Sequence, residues 1–230
     1  MNTHKNTARI VGILYIIGTV AGVLSVVFAG PVQDASDYLV SVPANETRLA
    51  IGALCVLIMG LALAMVPVMM FPISKKHHET LALGYVVFRG ALETVTYMAT
   101  VIGWLFLVKL SQVYVQADAP DASNFQAWGP LLLEAESMSA VTTIVFILGA
   151  LMFYYVLYRS KLIPRWISGW GLVAAVPYLA AGFFVMFGLV DHMSTVDAVL
   201  RMPLGIQEMV LAVWLIVKGF NPSAIAAGSA

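Results

Sequence analysis

Apolar and polar positions alternate on a long scale along this chain. Six apolar stretches, at residues 8–29, 49–71, 81–110, 131–158, 167–190 and 199–217, are separated by short polar segments. Each is near or above the roughly 20 residues that a helix needs to cross about 30 Å of hydrocarbon. The pattern predicts an all-α polytopic membrane bundle of six transmembrane helices, forming one domain over residues 1–220. The third span is the longest and is expected to tilt or protrude into water. Pro67 and Pro72 are expected to kink or end the second span, and Pro177 and Pro203 to do the same in the fifth and sixth. The longest connections are residues 30–48 and 111–130; the second, with Phe125, Trp128 and Gly129-Pro130, reads as an interfacial segment turning into span four. The small polar tail, 221–230, is expected to be disordered.

Composition supports lipid as the solvent. Of 230 residues, 61% are hydrophobic and 10% charged, against about 25% charged in a soluble domain. The net charge is zero, so no overall field recruits nucleic acid. The distribution is uneven, however. Lys5, Arg9, Lys75, Lys76, Arg159, Lys161, Arg165 and Lys218 fall on one side of the predicted bundle. Asp34, Asp37, Glu46, Asp118, Asp121, Asp191 and Asp197 fall on the other, with Arg48, Lys109 and Arg201 near span ends. The positive-inside rule places both termini in the cytoplasm. Val27-Phe28-Ala29 resembles a signal cleavage site, but the first apolar run exceeds the roughly 7–15 residues of a signal core, so an uncleaved span is expected. Membrane lipids are the expected partners, and a bacterial cytoplasmic membrane the expected location.

Ionisable residues inside the spans carry the candidate chemistry, because each costs roughly 2.5–3.5 kcal/mol at a helix centre. Arg89 and Glu93 stand four apart in span three, on a stripe continued by Thr96, Tyr97, Thr100 and Trp104. Measured from Leu81 they lie about 12 and 18 Å deep, too deep to reach headgroups easily. Span six carries Gln207 and Glu208, the latter about 13 Å from Val217. Span four opens with Glu134 and Glu136. Arg89, Glu93, Tyr97, Glu136, Gln207 and Glu208 are therefore expected to form one polar cluster, open toward the outside. The alternative is a clamp, in which Arg89 bridges Glu93 and Glu208 only to fix helix packing.

Other chemistries find few residues. His4, His77, His78 and His192 lie in termini or loops, so no span offers a haem or zinc ligand of that type. Cys55 is the only cysteine, which rules out an intramolecular disulfide and a cysteine metal cluster. Met59, Met65, Met69 and Met70 read as ordinary span residues. No metal or cofactor is expected. Gly18 and Gly22 form a GxxxG, which suggests close helix contact within the bundle or between protomers and leaves a homo-oligomer open.

Several segments together resemble a bacterial family of six-span membrane proteins catalogued only as a domain of unknown function. They are Arg9-Ile10-Val11-Gly12-Ile13-Leu14-Tyr15, Arg89 with Glu93, residues 158–165 (from Tyr158-Arg159 to Pro164-Arg165), Trp170-Gly171, Glu208 and Trp214-Leu215-Ile216-Val217-Lys218-Gly219-Phe220. The resemblance covers most of the chain and implies the membrane architecture, but no activity and no catalytic residue. The expected function is binding or transport of a small polar or amphipathic ligand at the Arg/Glu cluster, rather than enzymatic. The alternatives are an intramembrane lipid-modifying enzyme using Glu93 or Glu208 as acid or base, and a structural or accessory subunit.

Overall fold

In the computed structural model, residues 2–33, 38–116 and 135–227 are described. Their elements are α1 (Asn2–Gln33), α2 (Tyr38–Ala44), α3 (Glu46–Tyr85), a π-helical segment (Val86–Leu92), α4 (Glu93–Gln116), α5 (Ala135–Ser160), α6 (Arg165–Met186), α7 (Thr195–Val217) and α8 (Pro222–Ala227). The fold is all-α, with no strand among the described residues.

Among the described residues, five helical runs are long and apolar enough to cross a membrane. One of them, Glu46–Gln116, is not a single rod. At His78 the backbone leaves the helix (φ −163°, ψ 95°) and the chain doubles back. Gly60 packs on Tyr97, Gly52 against Trp104, and Gly90 against Pro67. As one partner climbs the first arm, the other descends the second, so the arms are antiparallel about His78. The break falls in the polar run Lys75-Lys76-His77-His78-Glu79-Thr80, where water can satisfy the freed backbone groups.

The prolines do not end their helices. Helix α3 runs through Pro67 and Pro72, α6 through Pro177 and α7 through Pro203. Proline is tolerated in a membrane helix where neighbours and local adjustments absorb the lost hydrogen bond. Pro67 is buried with the side-chain-free Gly90 opposite it. The connection after α1 contains a short helix, α2, whose Leu39 and Val42 join Ala29, Val32, Leu49 and Leu107 in a small apolar cluster. Within the tail, Pro222–Ala227 form α8 with Ala224 buried, and the Asn221 amide donates to the Leu162 carbonyl at 2.9 Å, which ties Asn221 to the α5–α6 connection. Residues 111–116 continue α4; the interfacial reading, carried by Phe125, Trp128 and Gly129-Pro130, lies outside the described residues.

Helix α1 packs between α3 and α7, α7 continues to α6, α6 to α5, and α5 closes back on α3, with α4 against α3 and α5. Glycines permit these approaches. Gly18 and Gly22 of the GxxxG face Leu63 and Met59, where an added Cβ would sit 2.7 and 2.8 Å away, so this motif serves a contact inside the bundle. The core includes Tyr15, Val66, Met70, Tyr85, Phe153, Tyr154 and Leu211, with the Tyr85 and Phe153 rings stacked at 4.3 Å. The outer face is apolar as well: Val95, Phe106, Val173, Val176 and Val213 are all exposed. A helical bundle with an apolar core and an apolar exterior is suited to lipid rather than water.

Candidate functional site

The π-helical segment Val86–Leu92 holds Arg89. Such segments interrupt α-helices mainly as single turns, frequently at functional sites. Here Gly149 of α5 lies directly against the Arg89 backbone, so α5 passes close beside it. The Arg89 side chain is 3% exposed and Glu93 1%. Arg89 Nη1 donates to both Glu93 oxygens, at 3.0 and 3.2 Å. Its Nη2 donates to Glu208 Oε1 at 3.2 Å, joining the π-helical segment to α7. The guanidinium also lies 4.1 Å from the centroid of the Phe146 ring, on α5, a cation–π contact that gains strength away from water. Tyr97 Oη donates to Glu93 Oε1 at 2.6 Å.

Tyrosines surround the pair. Tyr15 and Tyr85 are linked through their hydroxyls at 3.1 Å, and with Tyr154 they lie within electrostatic reach of Arg89 and Glu208. Gln207 is fully buried; its amide donates to the Ile167 carbonyl at 3.0 Å, linking α7 to α6. Three buried polar atoms in this region have no hydrogen-bond partner among the described residues: Arg89 Nε, Tyr154 Oη and Gln207 Oε1. The Tyr154 hydroxyl neighbours the Gln207 amide without forming a well-directed bond. Unsatisfied buried groups are uncommon and each calls for a water, ion or ligand.

The structure thus brings Arg89, Glu93, Tyr97 and Glu208 into direct contact, and places Gln207 beside them. Thr96 donates to the Glu93 carbonyl at 2.7 Å and Thr100 to the Thr96 carbonyl at 3.2 Å, so both are satisfied by their own helix. The side chain of Glu136 lies outside the described residues, as does Glu134. Glu136 stands about 15 Å along the α5 axis from Phe146, at about 1.5 Å per residue. On the same scale Arg89 is about 16 Å from His78, and Glu208 about 13 Å from Val217 but about 20 Å from Thr195. The centre therefore sits nearer the end bearing His78 and Val217.

A second polar cluster occupies the opposite end. Asp197 is 2% exposed and accepts from Arg201 Nε at 2.6 Å. Arg201 Nη1 donates to Thr143 Oγ1 at 2.6 Å, and its guanidinium lies 5.0 Å from the Tyr178 ring centroid. Asp197 also accepts from the Met193 amide at 3.2 Å, while its own amide donates to Ser194 Oγ at 3.3 Å, a reciprocal cap on α7. The sequence carried a signal for this cluster, in Ser194-x-x-Asp197 spacing and in Asp197/Arg201 at i,i+4. His192 meets both Ser139 Oγ (3.1 Å) and Asp197 Oδ2 (3.4 Å) through Nδ1. A Ser-His-Asp triad needs the two ring nitrogens to serve different partners, so this arrangement is not one.

No curated protein and no solved structure matches the chain. A family model does, over residues 10–219, which contain every residue of both clusters. The chain belongs to the family described as Domain of unknown function (DUF4386).

Proposed function

We propose that this protein is a six-crossing integral membrane protein, with both termini in the cytoplasm of a bacterial cell, that binds or transports a small polar or amphipathic ligand at the Arg89–Glu93–Glu208 centre. Counting the two antiparallel arms about His78 separately supports six crossings. The orientation follows from the basic residues at the His78 and Val217 ends.

The observation that supports a ligand is the charge count. Two carboxylates face one guanidinium, and both Arg89 Nη groups are already engaged. A buried excess negative charge is costly in a low dielectric. Glu208, which makes one bond to Arg89 and retains 15% exposure, is the incompletely matched member. A ligand carrying an ammonium-type group, with hydroxyl or carbonyl atoms for Arg89 Nε, Tyr154 Oη and Gln207 Oε1, complements this centre better than an anion does. The second reading, a packing clamp, draws support from the near-complete burial of Arg89 and Glu93.

The test is thermal unfolding of the purified protein in lipid nanodiscs with tetramethylammonium or choline, against sodium acetate at equal ionic strength. Binding to the folded state raises the midpoint by mass action. The proposal expects a rise with the ammonium probes that Glu208→Gln abolishes. No rise with any probe, together with a lower midpoint for Glu208→Gln, would establish the clamp instead.

A further inference from the structure

Two segments that carry no part of the Arg89 centre meet at the basic end of the bundle. The α5–α6 connection and the end of α7 enclose a cavity of about 490 Å³, lined by Lys161, Pro164, Arg165, Trp214, Lys218 and Phe220 among others. Three of its lining residues are cations and none is an acid. None of the three takes part in an ion pair among the described residues. The geometry is set by the backbone: Lys161 (φ 57°) and Gly219 (φ 73°) both turn the chain through the left-handed region just after a helix. Asn221 then closes the wall, its amide nitrogen donating to the Leu162 carbonyl at 2.9 Å and its side chain to the Lys161 carbonyl at 3.4 Å.

The surroundings fix the depth. Trp214 lies one turn before Lys218, Trp166 is exposed, and Tyr158 carries the Arg165 guanidinium 5.1 Å from its ring centroid. Trp and Tyr next to Lys and Arg mark the headgroup level of a bilayer. A basic pocket between helices on the cytoplasmic side suits the phosphate of an acidic lipid, with apolar Leu162, Ile163 and Phe220 in its wall.

We propose that this pocket binds the headgroup of an anionic phospholipid of the cytoplasmic leaflet, with Lys161, Arg165 and Lys218 around the phosphate and Trp214 at the glycerol level. The proposal rests on the membrane orientation given above but not on any ligand at Arg89.

The test is native mass spectrometry of the delipidated full-length protein, titrated with phosphatidylglycerol or phosphatidylcholine of the same chains. The wild type is expected to favour phosphatidylglycerol, and Arg165→Gln/Lys218→Gln to lose about 25-fold of that affinity, on the basis of roughly fivefold per cation at an anionic surface. Lys161→Asn, which keeps a residue tolerant of positive φ, is expected to lose about fivefold on the same scale. Lys75→Gln/Lys76→Gln removes the same charge from the same side and is expected to keep the preference. Unchanged helical circular dichroism and Tm show that the variants are folded; should the double variant unfold, Lys161→Asn alone carries the comparison. Equal affinity for the two lipids, or equal losses at Lys75/Lys76, would overturn the proposal. So would displacement of phosphatidylglycerol by millimolar inorganic phosphate, which would assign the pocket to a soluble anion. None of these outcomes depends on the ammonium probes at Glu208.

Discussion

Arg89 and Glu208 are joined at 3.2 Å although 119 positions separate them in the chain. Through this contact a charge in the π-helical segment is paired with one on α7, two elements otherwise linked through α1, α3, α5 and α6. Removing the guanidinium leaves two carboxylates facing each other without a counter-charge. Breaking a buried pair in this way costs about 3–5 kcal/mol. Arg89→Ala is therefore expected to lower the unfolding midpoint more than either Glu93→Gln or Glu208→Gln, measured by differential scanning fluorimetry in nanodiscs. Among the two acids, Glu93→Gln should be the more damaging, because Glu93 accepts three bonds and Glu208 one from the described side chains.

Tyr97→Phe tests the same centre from its other side. The variant keeps the ring and removes only the hydroxyl that donates to Glu93 at 2.6 Å. A hydrogen bond to a charged group is worth about 1.5–3 kcal/mol, and the lower end is expected because Arg89 still holds both Glu93 oxygens. Thr100→Val is the matched control. Among the described residues its hydroxyl serves only the Thr96 carbonyl, so its midpoint should remain close to that of the wild type. A Tyr97→Phe midpoint equal to that of Thr100→Val would mean that the Tyr97–Glu93 bond adds nothing to the fold.

The Arg89–Glu93 pair was legible because helical periodicity alone places positions four apart on one face. The depth of Glu208 was legible from its distance to the end of its span. That Glu208 meets Arg89 was one arrangement among several, since periodicity orients a side chain on its own helix and not relative to another helix. Phe146 carried no signal, as one aromatic in an apolar span looks like any other. Whether Pro67 kinks or ends its span could not be read from the sequence for a related reason: its effect depends on whether a neighbour leaves room, and Gly90 does so from a segment beyond the turn. The Asp197–Arg201 pair has the same i,i+4 spacing as Arg89–Glu93, but it stands at a span boundary, where sequence cannot separate wet from buried.

Glycine positions offer a sharper test of the packing. An added Cβ at Gly12 would meet the Ala212 carbonyl oxygen and the Ile216 side chain, at 2.5 and 2.7 Å. The carbonyl belongs to the α7 backbone and cannot move without shifting the helix. Gly12→Ala is thus expected to destabilise by about 1–3 kcal/mol, as overpacking does. Nothing lies within 4 Å of the corresponding position at Gly205, on the same partner helix. There alanine replaces glycine in a helix interior at no steric cost, and a gain of up to about 1 kcal/mol is expected from backbone propensity. Midpoints that fall equally in the two variants would contradict the α1–α7 contact.

The cluster at the opposite end is best tested as a coupled set. Arg201 is held by Asp197 and Thr143, while its Nη2 has no partner among the described residues. Losing Asp197 would leave the cation with Thr143 and Tyr178 but no counter-charge, and would also strip the Met193 amide of its cap. Groups in one such network couple by about 0.5–3 kcal/mol in a double-mutant cycle. Asp197→Asn and Arg201→Gln, alone and together, are expected to show a coupling in that range. Asn can still accept from Met193, so the cycle isolates the charge pair from the cap. Ser194→Ala removes the acceptor for the Asp197 amide and should cost about 1 kcal/mol, as an N-cap does. A coupling near zero between Asp197 and Arg201 would show that their 2.6 Å contact is screened by water, and that the end of α7 is held by its cap alone.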